Sequence, residues 1–238
     1  MALTSQQLTS LLQITQAMLN ATPGSVYLNE LGSQLEAGNS IAMIAQSFLG
    51  TVFFLGKDYS YGFGNFPSET LIDDLVGDRA SAGNKTSAIA FINSLVVPGS
   101  SINQIMSEVI RILSAFPVTD PNWGAAALHY NTENANKVVN NLLADTVSAD
   151  VKASAVSAIL AQMATGKTFG EAVVWATTTL DEIATTDPVW GNAARLFDNR
   201  IEVSRYYSIE KNGSLTNLPF LQQILSSVTA DTISVATA

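Results

Sequence analysis

The residues best suited to hold a ligand lie in one short run. Asp58, Tyr59, Tyr61, Phe63, Asn65 and Phe66 fall between Gly56 and Pro67, in a glycine-punctuated segment that no helical periodicity explains. Aromatic rings stack on the C–H faces of sugars, and Asp and Asn side chains hydrogen-bond around the rim, so this composition suits a saccharide. The same rings are also suited to pinning the loop onto neighbouring helices. Asn131, Asn134, Asn136, Asn140 and Asn141 form a second polar group. Asn at this density lowers helix propensity, which fits either a surface under a further constraint or a neutral solvated face.

Residues for catalysis are harder to assemble. His129 is the only histidine and cysteine is absent, so no familiar zinc or thiolate set can be composed. There is no Gly-x-Ser-x-Gly elbow, and Gly62-Phe63-Gly64 does not extend into a phosphate-binding fingerprint. Asp73-Asp74 and Asp181-Glu182 are paired carboxylates of the kind acid–base hydrolysis uses. Neighbours on a helix diverge by about 100°, however, so each pair reads as a solvated edge. Asp198 and Glu202 stand one helical turn apart, within reach of Arg195 and Arg205, and no EF-hand loop is present. The expectation is a non-enzymatic chain with no metal or cofactor of its own; calcium is left to interfaces.

Composition narrows the partners. A formal net charge of -9, with 11 Lys and Arg and no basic cluster, offers nothing to neutralise a nucleic-acid backbone or an anionic membrane surface. Charged residues are 13% of the chain, about half the usual share, and Ser, Thr, Asn and Gln replace them. Such a surface packs closely against sugars or against copies of itself. The most apolar stretch, 41–56, is interrupted by Gln46, Ser47 and Thr51 and is too short to span a bilayer. No basic, apolar leader is written into the first residues.

The elements that must position these residues read as helices. Leu8, Leu11, Leu12, Thr15, Met18 and Leu19 share one helical face behind a Thr4/Gln7 capping box, and Ser101/Gln104 and Thr168/Glu171 repeat that box. Gly38, Gly99 and Gly166 each precede a Ser or Thr cap, spaced by 61 and 67 residues, which predicts repeated helical hairpins. Thr119-Asp120-Pro121-Asn122-Trp123-Gly124 returns as Thr186-Asp187-Pro188-Val189-Trp190-Gly191. Here Asp120 and Asp187 are read as N-caps, Pro as the first helical residue, and Trp123 and Trp190 as rings that lock the first turn. The expected fold is all-α over 1–229, with a β-prone tail, 230–238, linking to a β-rich region.

One resemblance follows from these motifs. Val76-Gly77-Asp78-Arg79-Ala80-Ser81-Ala82-Gly83, and Leu196-Phe197-Asp198-Asn199-Arg200-Ile201-Glu202-Val203-Ser204-Arg205-Tyr206-Tyr207 followed by a short helix over 218–228 and a Val-Thr-Ala-Asp exit, resemble the N-terminal helical domain of bacterial S-layer and RTX-type surface proteins. The resemblance covers most of the chain. It implies type I secretion, a cell-surface location, and anchoring of a self-assembling lattice to lipopolysaccharide through O-polysaccharide. The calcium-binding β-roll of that family is not implied, because no Gly-Gly-x-Gly-x-Asp nonapeptide occurs. Alternatives are a purely structural self-assembly domain and the head of an RTX adhesin.

Overall fold

The computed structural model describes residues 3–57, 59, 67–97 and 99–237, with Thr237 by its backbone alone. Among these residues the chain is all helical and contains no strand. The Thr4/Gln7 box is formed, with Gln7 N–H on Thr4 Oγ1 at 3.1 Å and Thr4 N–H on Gln7 Oε1 at 2.8 Å, and it starts α1 (Ser5–Leu19). Every residue of α1 from Leu11 onward is buried, polar ones included, so α1 is the post around which the other helices stand. Around it come α2 (Ser25–Glu36), α3 (Ile41–Phe48), the single turn α4 (Val52–Leu55) and α5 (Ser68–Val76). Then follow α6 (Ala82–Leu95), α7 (Ile102–Ala115), α8 (Gly124–Leu143), α9 (Ala149–Ala164), α10 (Phe169–Asp181) and α11 (Gly191–Arg205). A π-helical turn at Tyr206–Glu210 leads to α12 (Leu218–Ser226) and α13 (Ile233–Thr237). One contiguous core runs from Leu11 to Leu221.

The tail is a correction to the sequence reading. Residues 233–237 form α13 rather than a strand, because Asp231 Oδ1 accepts the Ile233 N–H at 3.0 Å and Ser234 bonds back to Thr229 and Asp231. Local capping outweighs the β preference of Ile and Val, which is a weak prior. Val235 then packs on a small cluster of Leu196, Val203, Leu225 and Val228.

The glycine turns recur with one geometry. Gly38, Gly99 and Gly166 have φ of 93°, 92° and 93°, the left-handed region open to glycine. Hairpins, however, are not the unit of packing: α10 lies more extensively on α3 than on α9. A Cβ on Gly170 would run into the Ala42 carbonyl, and Gly170 N–H donates to Gln46 Oε1 at 2.8 Å, so the absence of a side chain sets this close crossing.

The stronger repeat is longer. Helices α6, α7 and α8 start at Ala82, Ile102 and Gly124, and α9, α10 and α11 start 67 residues after each. The caps match as well, with Ser81 Oγ accepting from Asn84 N–H and Ser148 Oγ from Val151 N–H. Gly77, at the end of α5, has φ 52° and ψ -135°; Ala144, at the end of α8, has φ 44° and ψ -130°. The second copy therefore holds an alanine in a backbone conformation suited to glycine, which costs about 1–3 kcal/mol.

Three side chains close the far end of the bundle. Arg200 is 8% exposed and its guanidinium Nη1 donates to Asn20 Oδ1 at 3.1 Å and to the Asn141 carbonyl at 3.0 Å. Gln16 Nε2 donates to the same two acceptors, at 3.0 and 3.1 Å, and Asn141 Nδ2 donates to the Ala17 carbonyl at 2.9 Å. The ends of α1 and α8 are thus tied to α11.

Two stability changes are expected. Ala144→Gly should raise stability by about 1 kcal/mol, the relieved strain exceeding glycine's entropy cost. Arg200→Leu should lower it by about 1–3 kcal/mol by removing two buried charge-assisted hydrogen bonds, the acceptors keeping Gln16 alone. Urea unfolding followed by circular dichroism measures both.

Candidate functional site

Of the aromatic segment singled out in the sequence, Tyr59 is described, while Asp58, Tyr61, Phe63, Asn65 and Phe66 lie outside the described residues. Tyr59 is 6% exposed and its phenol donates to Asp74 Oδ2 at 2.7 Å. Lys57 binds the same carboxylate. Burial, then the Asp74 bond and charge, raise the Tyr59 pKa and keep it protonated. Burial alone would raise the Asp74 pKa, but the bonds from Lys57 and Tyr59 outweigh it and hold the carboxyl below its ordinary value. Tyr59 is a pin between its loop and α5, and its ring is not open for stacking.

The asparagine group is likewise divided. Asn131 and Asn134 are buried, Asn131 Nδ2 donates to the Ser114 carbonyl at 3.0 Å, and Asn141 ties α8 to α1. Only Asn136 and Asn140 are exposed, so much of the group bridges helices rather than forming one polar surface. The acidic pairs diverge as expected: Asp74 faces Lys57 and Tyr59, while Asp73 meets Lys85 at 2.8 Å. Asp181 accepts from Gln13 Nε2 at 3.0 Å. Burial and then the nearby Asp181 raise the Asp198 pKa, and Arg195 and Arg205 bond to Asn192 and Thr9 rather than to Asp198 or Glu202. Among the described residues no group of three or more His, Cys, Asp or Glu is placed to hold a metal.

The repeated phrase gives two congruent turns. Asp120 Oδ1 accepts N–H from Asn122 and Trp123, and Asp187 Oδ1 from Val189 and Trp190, all at 2.8 Å. The regular helices begin later than the sequence suggests, at Gly124 and Gly191, because Asp-Pro-x-Trp closes a turn of its own. A Cβ on either glycine would sit 2.5 Å from a backbone oxygen, that of Val118 or of Thr185. Trp123 and Trp190 are half-buried, and Trp123 stacks on Phe116 with centroids 5.9 Å apart.

Beneath each tryptophan lies an apolar cleft. The one at Trp123 holds about 240 Å³ and the one at Trp190 about 280 Å³. Every residue lining the first has its counterpart 67 positions on lining the second, as Ile72 with Val139, Ala88 with Ala155, Ile92 with Ile159 and Leu113 with Leu180. The clefts are duplicates. A larger cavity of about 390 Å³ lies between Phe116–Val118 and Gly166–Thr168, but its cations are engaged, Arg111 with Glu108 at 2.8 Å and Lys167 with Gln162.

A fourth cleft, of about 290 Å³, has different chemistry. Tyr27, Glu30 and Gln34 of α2 line one side, Thr51 and Phe53 the other, with Asn103 of α7 at the edge and Leu218 and Leu221 of α12 behind. Tyr27 and Phe53 meet edge to face at 5.7 Å and 79°, and the Tyr27 phenol donates to the Thr216 carbonyl at 3.0 Å. Burial, then the Glu30 charge, raise the Tyr27 pKa, so the phenol remains a donor. Three aromatic rings, Phe48 being the third, two amides, several hydroxyls and a carboxylate meet in one opening. Sequence reading missed this site, because its residues come from six helices and the turns between them and share no local motif.

Compared with protein-family models, with curated proteins and with solved structures, the chain gives no match.

The Asp187 carboxylate makes a pH prediction. Bonds from the Trp190 and Val189 N–H groups hold the Asp187 pKa below its ordinary value. A depressed carboxyl contributes stability above the unfolded value, about 3.9, and loses it as pH falls through the lower folded value. The melting temperature should fall as the pH drops below about 4, and Asp187→Asn should flatten that fall; an identical pH profile would remove Asp187 from the account.

Proposed function

We propose that this chain is a non-catalytic helical domain that holds cell-surface polysaccharide, and that it anchors a secreted surface-layer protein to lipopolysaccharide through O-polysaccharide. The observation that carries this reading is the cleft at Tyr27 and Phe53. Sugars need apolar faces to stack on and closely spaced acceptors and donors for their hydroxyls. This opening has both, whereas the clefts under Trp123 and Trp190 are almost wholly apolar. The sparsely charged surface and the resemblance to S-layer and RTX-type helical domains support the same reading. Holding would be multivalent, each weak sugar contact multiplied by the effective concentration of an array. Export, a surface location and calcium bridging between acidic protein and anionic lipopolysaccharide belong to the same proposal.

A second reading, a self-assembly domain with protein neighbours alone, is favoured by the twin apolar clefts. Cosedimentation with lipopolysaccharide purified from the producing cell separates the two. Binding should require O-polysaccharide, and Phe53→Ala should weaken it roughly tenfold without loss of helix, the worth of one ring contact. Failure to bind, together with concentration-dependent self-association, would replace the anchor with the assembly domain.

A further inference from the structure

The polar cleft shares part of its lining with the duplicated ones. Moving back 61 residues from the cleft at Trp123 places Tyr27 at the position of Ala88, Glu30 at Phe91, Leu31 at Ile92, Phe48 at Val109 and Thr51 at Ile112, and each pair lines its own cleft. In the remaining copy these positions are Ala155, Ala158, Ile159, Ala176 and Thr179. The apolar floor is therefore common to all three, Leu31, Ile92 and Ile159 being its clearest members. What sets the first copy apart is Tyr27 in place of alanine, Glu30 in place of Phe or Ala, and Phe48 in place of Val or Ala; of these the first two bring polar atoms.

We infer that Tyr27 and Glu30 convert this slot into a site for a glycan whose sugars offer hydroxyl or amine donors and carry no acid. The inference rests on the polysaccharide reading and names the class of sugar. Glu30 is an acceptor only, it is exposed, and it forms no ion pair among the described residues. Among the described residues no Lys or Arg lines the cleft. A uronate or sulfated sugar would bring a second negative charge beside Glu30 with no cation to offset it, whereas a hydroxyl or ammonium would find its acceptor there. Tyr27 already donates its proton to Thr216, so its oxygen presents lone pairs to the cleft and again takes donors. Gln34 and Asn103 supply amide donors for ring and glycosidic oxygens.

The other copies show how to remove the site without breaking the fold. Tyr27→Ala with Glu30→Ala installs the side chains that the cleft at Trp190 carries at Ala155 and Ala158. The experiment uses the whole chain bound to its own cell's purified polysaccharide, with glucosamine tetramer, maltotetraose and galacturonate tetramer as competitors. The expected result is competition by the first two, with galacturonate at least tenfold weaker. The double variant should keep its helical circular dichroism and lose at least tenfold in polysaccharide affinity, and Glu30→Gln should narrow the gap between the amine and acid competitors. Competition by galacturonate equal to the others, or a folded double variant with unchanged affinity, overturns the inference and leaves the polysaccharide reading standing. A wild-type chain that binds no polysaccharide overturns both.

Discussion

Arg200 sits where the C-terminal ends of α1 and α8 meet, and its charge is met by carbonyl and amide oxygens. Helix C-termini carry partial negative charge and unsatisfied carbonyls, so two of them converging in a core need donors more than they need an acid. Arg200, Gln16 and Asn141 supply those donors. Burial lowers the Arg200 pKa from its ordinary value, but the oxygens of Asn20 and Asn141 remain aligned to the guanidinium. With α1 fixed at that end, α2 and α12 are fixed as well: Gln222 Nε2 donates to the Leu19 carbonyl at 2.8 Å, and Thr22 shares a 3.0 Å hydroxyl bond with Ser208. These are the segments that form the back of the polar cleft. The Phe-Asp-Asn-Arg run that carried the family resemblance is thus a structural clamp: Phe197 is fully buried and Asn199 holds the Thr229 carbonyl at 2.8 Å.

Repetition explains why one molecule holds three clefts of unequal chemistry. A helix-turn unit copied along a chain brings its packing with it, including the gap beneath the tryptophan and the backbone angles at its ends. Ala144 keeps the angles of Gly77 although its Cβ opposes them. Once three gaps exist, a change at half-buried Tyr27 and exposed Glu30 alters the chemistry of one and leaves the shared floor in place.

Helix starts were legible because they are local. A Ser or Thr oxygen reaching the N–H three residues on needs no tertiary contact, and the caps at Thr4, Ser40, Ser101 and Thr168 fall where the spacing puts them. The Asp-Pro-x-Trp turn was legible as a repeat but not as a separate turn, since its close approach of glycine to a backbone carbonyl is a tertiary fact. Asparagines on α8 looked like surface, because composition cannot tell a solvated amide from one that bridges helices. The polar cleft was invisible for the same reason: Tyr27 and Asn103 come to line one cleft only when α2 and α7 are both packed on α3.

The most direct measurement is an amide chemical-shift map of the chain titrated with a short oligosaccharide cut from its own cell's polysaccharide. The account predicts shifts concentrated at Tyr27, Glu30, Thr51, Phe53 and Asn103, with Trp123 and Trp190 unmoved. Shifts centred on either tryptophan cleft, or a spectrum that saturating sugar leaves unchanged, would contradict it.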